Sequence, residues 1–368
     1  MFAGAGGLSL GLTKAGFHVL LANEIEPDFS ASYRLNHPDT RVVVGDIHTL
    51  NIHRELALVG VDDPISLISG GAPCQGFSTV GKKNEHDDRN SLFWQFLRVV
   101  REIQPEFVLF ENVSGFVRMY GGKMHSALLS ELGDLGYVSH QRILNAVDFG
   151  VPQDRKRTIV VAHKNGYDFQ MPVGGDCKAV TLWEAISDLP PVESGQSATA
   201  YATEPQNAYQ REMRNNMTVL TEHVAPRHGD ALMRVLRAVP DGGSILDVPE
   251  EMRPKGYFAN TYARLWAHKP APTITRNFGT PSSSRCIHPY QDRGLTTREG
   301  ARLQGFPDWY EFHGSRPSKN LQIGNAVPPA LGFAVACAIR EALMRGKGEE
   351  QDGFGHSVRA AVQTTLGF

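Results

Sequence analysis

The first 165 residues alternate short apolar runs with longer stretches whose apolar positions recur at helical spacing, the pattern of an α/β domain on a largely parallel sheet. Runs at residues 18–22, 41–44, 64–69 and 106–110 predict strands, with helices between them. "SLFWQFLRVVREIQPEF" displays the helical period, since Leu92, Phe96, Val99, Val100 and Ile103 share one face before Pro105 stops it. "YVSHQRILNA" and "RTIVVAH" follow as an antiparallel pair at the sheet edge. From about residue 170 to 315 the chain turns to Pro, Gly, Thr and Asn with short elements, and residues 190–203 read as connector. Inside that region "LTTREGARLQGFP" predicts a helix opened by a capping box between Thr296 and Glu299. "VPPALGFAVACAIREAL" predicts an apolar helix with Pro328 and Pro329 near its first turn. The expected architecture is therefore a doubly wound, mostly parallel α/β sheet over residues 1–170 and a second, smaller, irregular domain over 171–317. A helix at 318–345 returns to the first domain, and 346–368 form a loosely held tail.

Composition narrows this picture without redirecting it. The 368 residues are 41% hydrophobic and 21% charged, ordinary values for a soluble globular protein. No apolar run approaches the ~20 residues of a membrane span, and no basic segment followed by an apolar one opens the chain. The expectation is a cytoplasmic monomer with no membrane partner. Cys74, Cys177, Cys286 and Cys337 are scattered without metal spacing, so reduced thiols and no metal are expected. Net charge is only −2, yet residues 252–293 carry seven Lys/Arg against Asp292 alone, interleaved with aromatics such as Tyr257, Phe258 and Trp266. That stretch suits a polyanion with stackable bases, or else a solvated loop surface.

In open α/β sheets ligands bind beyond the carboxyl ends of the strands. The predicted strands deliver Glu24, Asp46, the loop holding Cys74, and Glu111 to that edge. The opening loop, Gly4, Gly6 and Gly7 in "FAGAGGLS", has Ser9 where a dinucleotide fingerprint wants its third glycine, which argues against NAD and FAD. Glu24 lies twenty positions after Gly4, the spacing at which an acid meets ribose hydroxyls. Asp46 could accept from an adenine amine, so these residues describe a pocket for an adenosine whose tail need not be anionic. Cys74 sits in the glycine-rich turn "GGAPCQGFS", which holds a thiol out of the core. Arg155, Arg157, Lys82 and Lys83 are candidates for the cationic field that would favour its thiolate.

In this order the blocks resemble the cytosine-C5 DNA methyltransferases of bacterial restriction-modification systems. "FAGAGG", Glu24, "GDI", "GAPCQGFS", "ENV", "QDRKR", "REGARLQGFPD" and "QIGNAVPP" span nearly the whole chain. The resemblance implies a Rossmann-like fold, S-adenosyl-L-methionine as cofactor, double-stranded DNA as partner with the protein at the nucleoid, and a cognate restriction endonuclease as a functional, not necessarily physical, partner. It implies that Cys74 attacks C6 of a flipped cytosine, Glu111 engages N3 and the exocyclic amine, and Arg155 and Arg157 anchor the O2 side and the carboxylate network. Cofactor contacts carry over to Phe2, Gly4, Gly6, Gly7, Glu24, Asp46, Ile47, Pro73, Leu92 and Asn325, although core packing serves Phe2 equally well. Gln75, Ser78 and Lys82, on a polar loop running to about Asn90, would meet DNA, as would Thr273, Arg276 and Asn277 in the target-recognition region.

Family members usually carry several apolar residues ahead of the glycine loop, forming a central strand, whereas here Met1 and Phe2 precede Ala3. Two expectations follow: a chain short at its start, or a shortened strand over residues 1–4. Methylation of RNA cytosine and a catalytically silent DNA-binding paralogue are the alternative functions, the first disfavoured by the absence of a "CFT" triplet.

Overall fold

The computed structural model describes residues 1–61, 63–72, 91–175 and 178–346. Its order opens with α1 (Gly7–Lys14), β1 (Leu21–Glu24), α2 (Pro27–Asn36), β2 (Arg41–Val44), α3 (Ile52–Leu58) and β3 (Leu67–Gly70). Then come α4 (Ser91–Ile103), β4 (Phe107–Val113), α5 (Lys123–Asp134), β5 (Tyr137–Asn145), β6 (Gln153–Asp154) and β7 (Lys156–Lys164). A four-stranded sheet runs β3-β4-β7-β5, parallel between β3 and β4 and antiparallel at the other two junctions. β1 and β2 form a separate parallel pair. Residues 1–3 bridge the two, because the Met1 amine donates to the Ser69 carbonyl at 2.7 Å and the Ala3 amide to that of Asn23 at 3.0 Å. The stretch that the sequence suggests is nearly missing thus hydrogen-bonds to β1 on one side and β3 on the other.

β4 explains why the sheet is wound on both faces. Its side chains alternate, and all four of its leading residues are buried. Val108 and Phe110 pack with Phe93, Phe96 and Val100 of α4 and Leu128 of α5. Phe107 and Leu109 face the opposite way, against Leu331, Val335 and Ile339. Those three belong to the long C-terminal helix. A continuous apolar strand between two helical layers is what a central position in an α/β sheet demands.

Beyond residue 178 the elements are short: α6 (Leu182–Ile186), α7 (Ala208–Arg214), α8 (Asp230–Ala238), β8 (Ala263–Arg264), β9 (Ala271–Pro272) and β10 (Arg285–Ile287). α9 (Thr297–Gln304) opens with the expected capping box, Thr296 accepting from the Glu299 amide and Glu299 from that of Thr296. α10 (Arg316–Asn325) and α11 (Pro329–Gly346) close the described chain. The stretch 316–346 is long and apolar enough to cross a membrane by length and composition. In the fold its apolar residues are core, with Leu331, Val335 and Ile339 at 1% exposure or less. One core joins α6, α7 and α9 to Ala5 and Leu10, so the glycine loop rests directly on this region. A second gathers Val235, Leu236, Ile245, Tyr262 and Ile287.

The basic stretch departs from expectation. Arg264 and Arg293 are 5% and 1% exposed, paired with Asp292 and Glu299 and donating to backbone carbonyls. Arg285 stacks on Trp266 and donates to Gly242 and Gly243. Three of its seven cations therefore hold short irregular elements together, because loops lacking ladders leave carbonyls that guanidinium donors satisfy.

Candidate functional site

The glycine loop turns tightly, the Gly6 amide donating to the Ala3 carbonyl at 3.0 Å. Gly4 and Gly6 take φ values of +56° and +97°, a region that L side chains rarely enter. Glu24, the last residue of β1, clamps this turn: one carboxylate oxygen accepts from the Gly4 amide at 2.7 Å, the other from Ile25 and Glu26 at 3.0 Å. The twenty-residue spacing read from the sequence is thus closed by a direct bond. Asp46, after β2, caps a short turn by accepting from the His48 amide at 2.9 Å and faces the His48 ring at 2.7 Å. Those bonds hold its carboxyl below the usual carboxylate range.

At the far end, β4 and β7 pair with Glu111 opposite Ile159 and Val113 opposite Arg157. Glu111 and Arg157 are therefore diagonal neighbours on one sheet face. Their side chains meet at 3.0 Å, 13% and 12% exposed. Burial raises the Glu111 pKa, and the charges of Arg157 and Arg155 oppose that rise without cancelling it. Gly71 passes so close that a Cβ there would sit 2.8 Å from the carboxylate. Arg155, 1% exposed, donates from one Nη to Ile274 and from the other to Gly324 and Ala326. Its buried Nε has no partner among the described residues.

These parts enclose one cavity of about 520 Å³. Phe2, Gly4, Gly7, Glu24, Asp46, Ile47, Leu92 and Asn325 line it, and so do Glu111, Arg155 and Arg157. Gly6 does not. A Cβ on Gly6 would lie 2.5 Å from His37 Nε2 and 2.7 Å from the Tyr310 hydroxyl, so its bareness serves packing beneath the loop. Pro73, Cys74, Gln75, Ser78 and Lys82 lie outside the described residues; Ala72, just before them, lines the cavity. Thr273 is away from it, its hydroxyl donating to the Asp154 carbonyl at 2.8 Å. Arg276 and Asn277 are exposed on a second cavity beside Glu26, Phe29 and the start of α10.

Sequence reasoning passed over Phe29 and Tyr33, which project from α2 into the main cavity, and Ser9, whose hydroxyl accepts from Tyr33 at 2.7 Å. The four-residue spacing of Phe29 and Tyr33 was a visible signal of one helical face. Gln322 and Val327, around the turn between α10 and α11, also line the wall. Among the described residues no cluster of three or more His, Cys, Asp or Glu is placed to hold a metal.

Residues 1–341 match the family model for C-5 cytosine-specific DNA methylase. The Type II methyltransferase M1.HphI of Haemophilus parahaemolyticus is 35% identical over 342 residues, covering 92% of this chain and 85% of that one. M.DdeI of Desulfomicrobium norvegicum, also a Type II methyltransferase, is 37% identical over 366 residues, covering 91% and 86%. Among solved structures, a prophage-encoded DNA modification methyltransferase of Escherichia coli superposes with a TM-score of 0.77 at 26% identity, covering 93% and 98%.

Proposed function

The chain belongs to the C-5 cytosine-specific DNA methylase family and is a DNA cytosine-5 methyltransferase, and on that footing we propose how its residues divide the work. The single cavity bounded by Glu24 and Asp46 at one end and by the Glu111–Arg157 pair at the other carries this reading. S-adenosylmethionine fits the first end: Gly4 opens onto free space where a side chain would intrude, Glu24 and Asp46 offer carboxylates, and Phe2, Ile47 and Leu92 offer apolar walls. When bound there it supplies a methyl group made electrophilic by its sulfonium.

A cytosine in duplex DNA must leave the stack to enter such a cavity, at a cost of a few kcal/mol. The Cys74 thiolate adds to C6, which gives C5 carbanion character. Glu111, its proton affinity raised by burial, holds the proton at N3 and accepts from the exocyclic amine. The unpartnered Arg155 Nε offers a donor for the O2 side. Arg157 keeps Glu111 oriented. Once C5 has taken the methyl group and left S-adenosylhomocysteine behind, its proton passes to solvent and Cys74 departs as the thiolate, which restores the aromatic ring.

Residues 171–317 serve as the target-recognition region in this reading, with Arg276 and Asn277 exposed for DNA. A restriction endonuclease of the same site is the functional partner, and the cytoplasm the place of action. Incubation with labelled S-adenosylmethionine and mixed-sequence duplex, beside Cys74→Ala, tests the whole. Transfer to duplex by the parent and none by the variant is expected; transfer by neither, or transfer to RNA in preference, overturns it. Bisulfite sequencing of DNA from expressing cells would then read the recognised site.

A further inference from the structure

A third cavity, of about 730 Å³, lies between α8, the first residue of α10 and the loop after Phe278. Four guanidinium groups line it, from Arg227, Arg234, Arg253 and Arg316, against one carboxylate, Glu251. None of the four forms an ion pair among the described residues. Arg253 donates to the Val248 and Leu246 carbonyls, and Arg316 makes one long bond, 3.4 Å, to that of Ala225. Arg227 and Arg234 are exposed, and their guanidinium groups make no hydrogen bond to a described residue. This arrangement is the reverse of that of Arg264 and Arg293, whose charges are balanced by acids. Four cations gathered against a single carboxylate repel one another, so an anion in the cleft would relieve them.

The cleft is tied to the catalytic end through Arg155. One of its bonds goes to Gly324, near the end of the helix that begins at Arg316, so ~12 Å of α10 separates the two at 1.5 Å per residue. Another goes to Ile274, five residues before Gly279 on the cleft wall, a distance of at most ~18 Å. Duplex DNA advances ~3.4 Å per base pair, so spans of ~12–18 Å from the carbonyls that Arg155 contacts correspond to about four or five base pairs.

We infer that the cleft walled by Arg227, Arg234 and Arg316 grips backbone phosphates of the DNA flanking the extruded cytosine. The inference rests on the DNA-methylating reading and extends it to a phosphate-binding surface separate from base recognition. Phosphate contacts fix register and orientation without reading sequence. Each phosphate neutralised contributes ~0.9 to the slope of log affinity against log salt.

Duplex KM as a function of salt, measured for the parent and for the triple variant R227A/R234A/R316A, tests the inference. Loss of two or three contacts is expected to flatten the slope by ~2 and raise KM at least tenfold near physiological salt, with kcat at saturating duplex retained. S-adenosylmethionine affinity serves as the control for folding, and R227K/R234K/R316K should recover most of the slope. An unchanged slope and KM in the triple alanine variant overturn the inference and leave the methyltransferase reading intact. A parent that methylates no duplex overturns both.

Discussion

Arg157 on β7 meets Glu111 on β4 at 3.0 Å across a diagonal of the antiparallel ladder. The pair is built into the register, because the strand pairing that places Ile159 opposite Glu111 also carries Arg157 to its flank. Burial nevertheless leaves the Glu111 pKa above the usual 4.5.

A carboxyl whose folded pKa is raised binds its proton more tightly in the native state than in the unfolded chain. Stability should therefore fall as pH rises from about 4.5 through the raised value, and stay lowered above it. Glu111→Gln removes that slope. Thermal melting of parent and variant between pH 4 and 8 should show the variant gaining on the parent as pH rises, while methyl transfer drops by about 100-fold or more. Parallel melting curves at every pH would count against the buried carboxyl.

Gly4 and Gly6 look alike in the sequence but should fail differently. Gly6→Ala drives a methyl group into His37 and Tyr310 at a positive φ, which costs about 3 kcal/mol and lowers the melting temperature. Gly4→Ala meets nothing within 4 Å and carries only the backbone strain of about 1 kcal/mol, but its methyl group points into the space proposed for the cofactor. Its effect should appear as a higher KM for S-adenosylmethionine with near-parental melting. Calorimetry and cofactor titration on the two variants separate these outcomes.

That contrast marks where sequence reading stops. The glycine pattern told that the backbone must approach something closely, whereas the atoms under Gly6 belong to residues 37 and 310, which no local pattern connects to it. β2 fell at 41–44 as expected because a β-branched run is its own signal. β1 shifted from 18–22 to Leu21–Glu24 and β4 grew from 106–110 to Phe107–Val113, since the pairing partner sets where a strand begins and ends. Glu24, Asp46 and Glu111 were legible because each follows or ends an apolar run. Arg264 and Arg293 were not, because a charge count cannot distinguish a guanidinium feeding loop carbonyls from one facing solvent.

Arg302 is fully buried between two acids, with Nη1 2.5 Å from Asp188 and Nη2 2.6 Å from Asp308. Burial pushes the Asp308 carboxyl up, but the hydrogen bond and charge of Arg302 outweigh it and hold the pKa below 3.8. A depressed carboxyl contributes stability that is complete above its unfolded pKa and disappears as pH falls through the folded one. Arg302→Gln leaves Asp188 with Arg214 alone and Asp308 with the more distant Arg298, 3.7 Å away, and should cost about 3 kcal/mol at pH 7. Denaturant melts should show that deficit shrinking below about pH 4, where the unfolded acids also take up protons. A deficit that persists undiminished at pH 3 would assign the loss to packing instead.

The cysteines should sort by reactivity. Burial pushes the Cys286 thiol up to about 12, and burial with the nearby Glu341 charge raises Cys337 to about 11. At pH 7.5 their thiolate fractions are on the order of 10⁻⁴ or less, against about one in ten for an ordinary thiol, and the thiolate is the species that alkylates. Both should resist iodoacetamide in the native protein and react after denaturation. Cys74, proposed as the nucleophile, should be labelled in step with loss of methyl transfer, and a cytosine-bearing duplex with S-adenosylhomocysteine should slow that labelling. Peptide mass spectrometry over the inactivation time course gives the comparison. If activity disappears while Cys74 is unmodified and Cys286 or Cys337 carries the label, the assignment of the nucleophile fails.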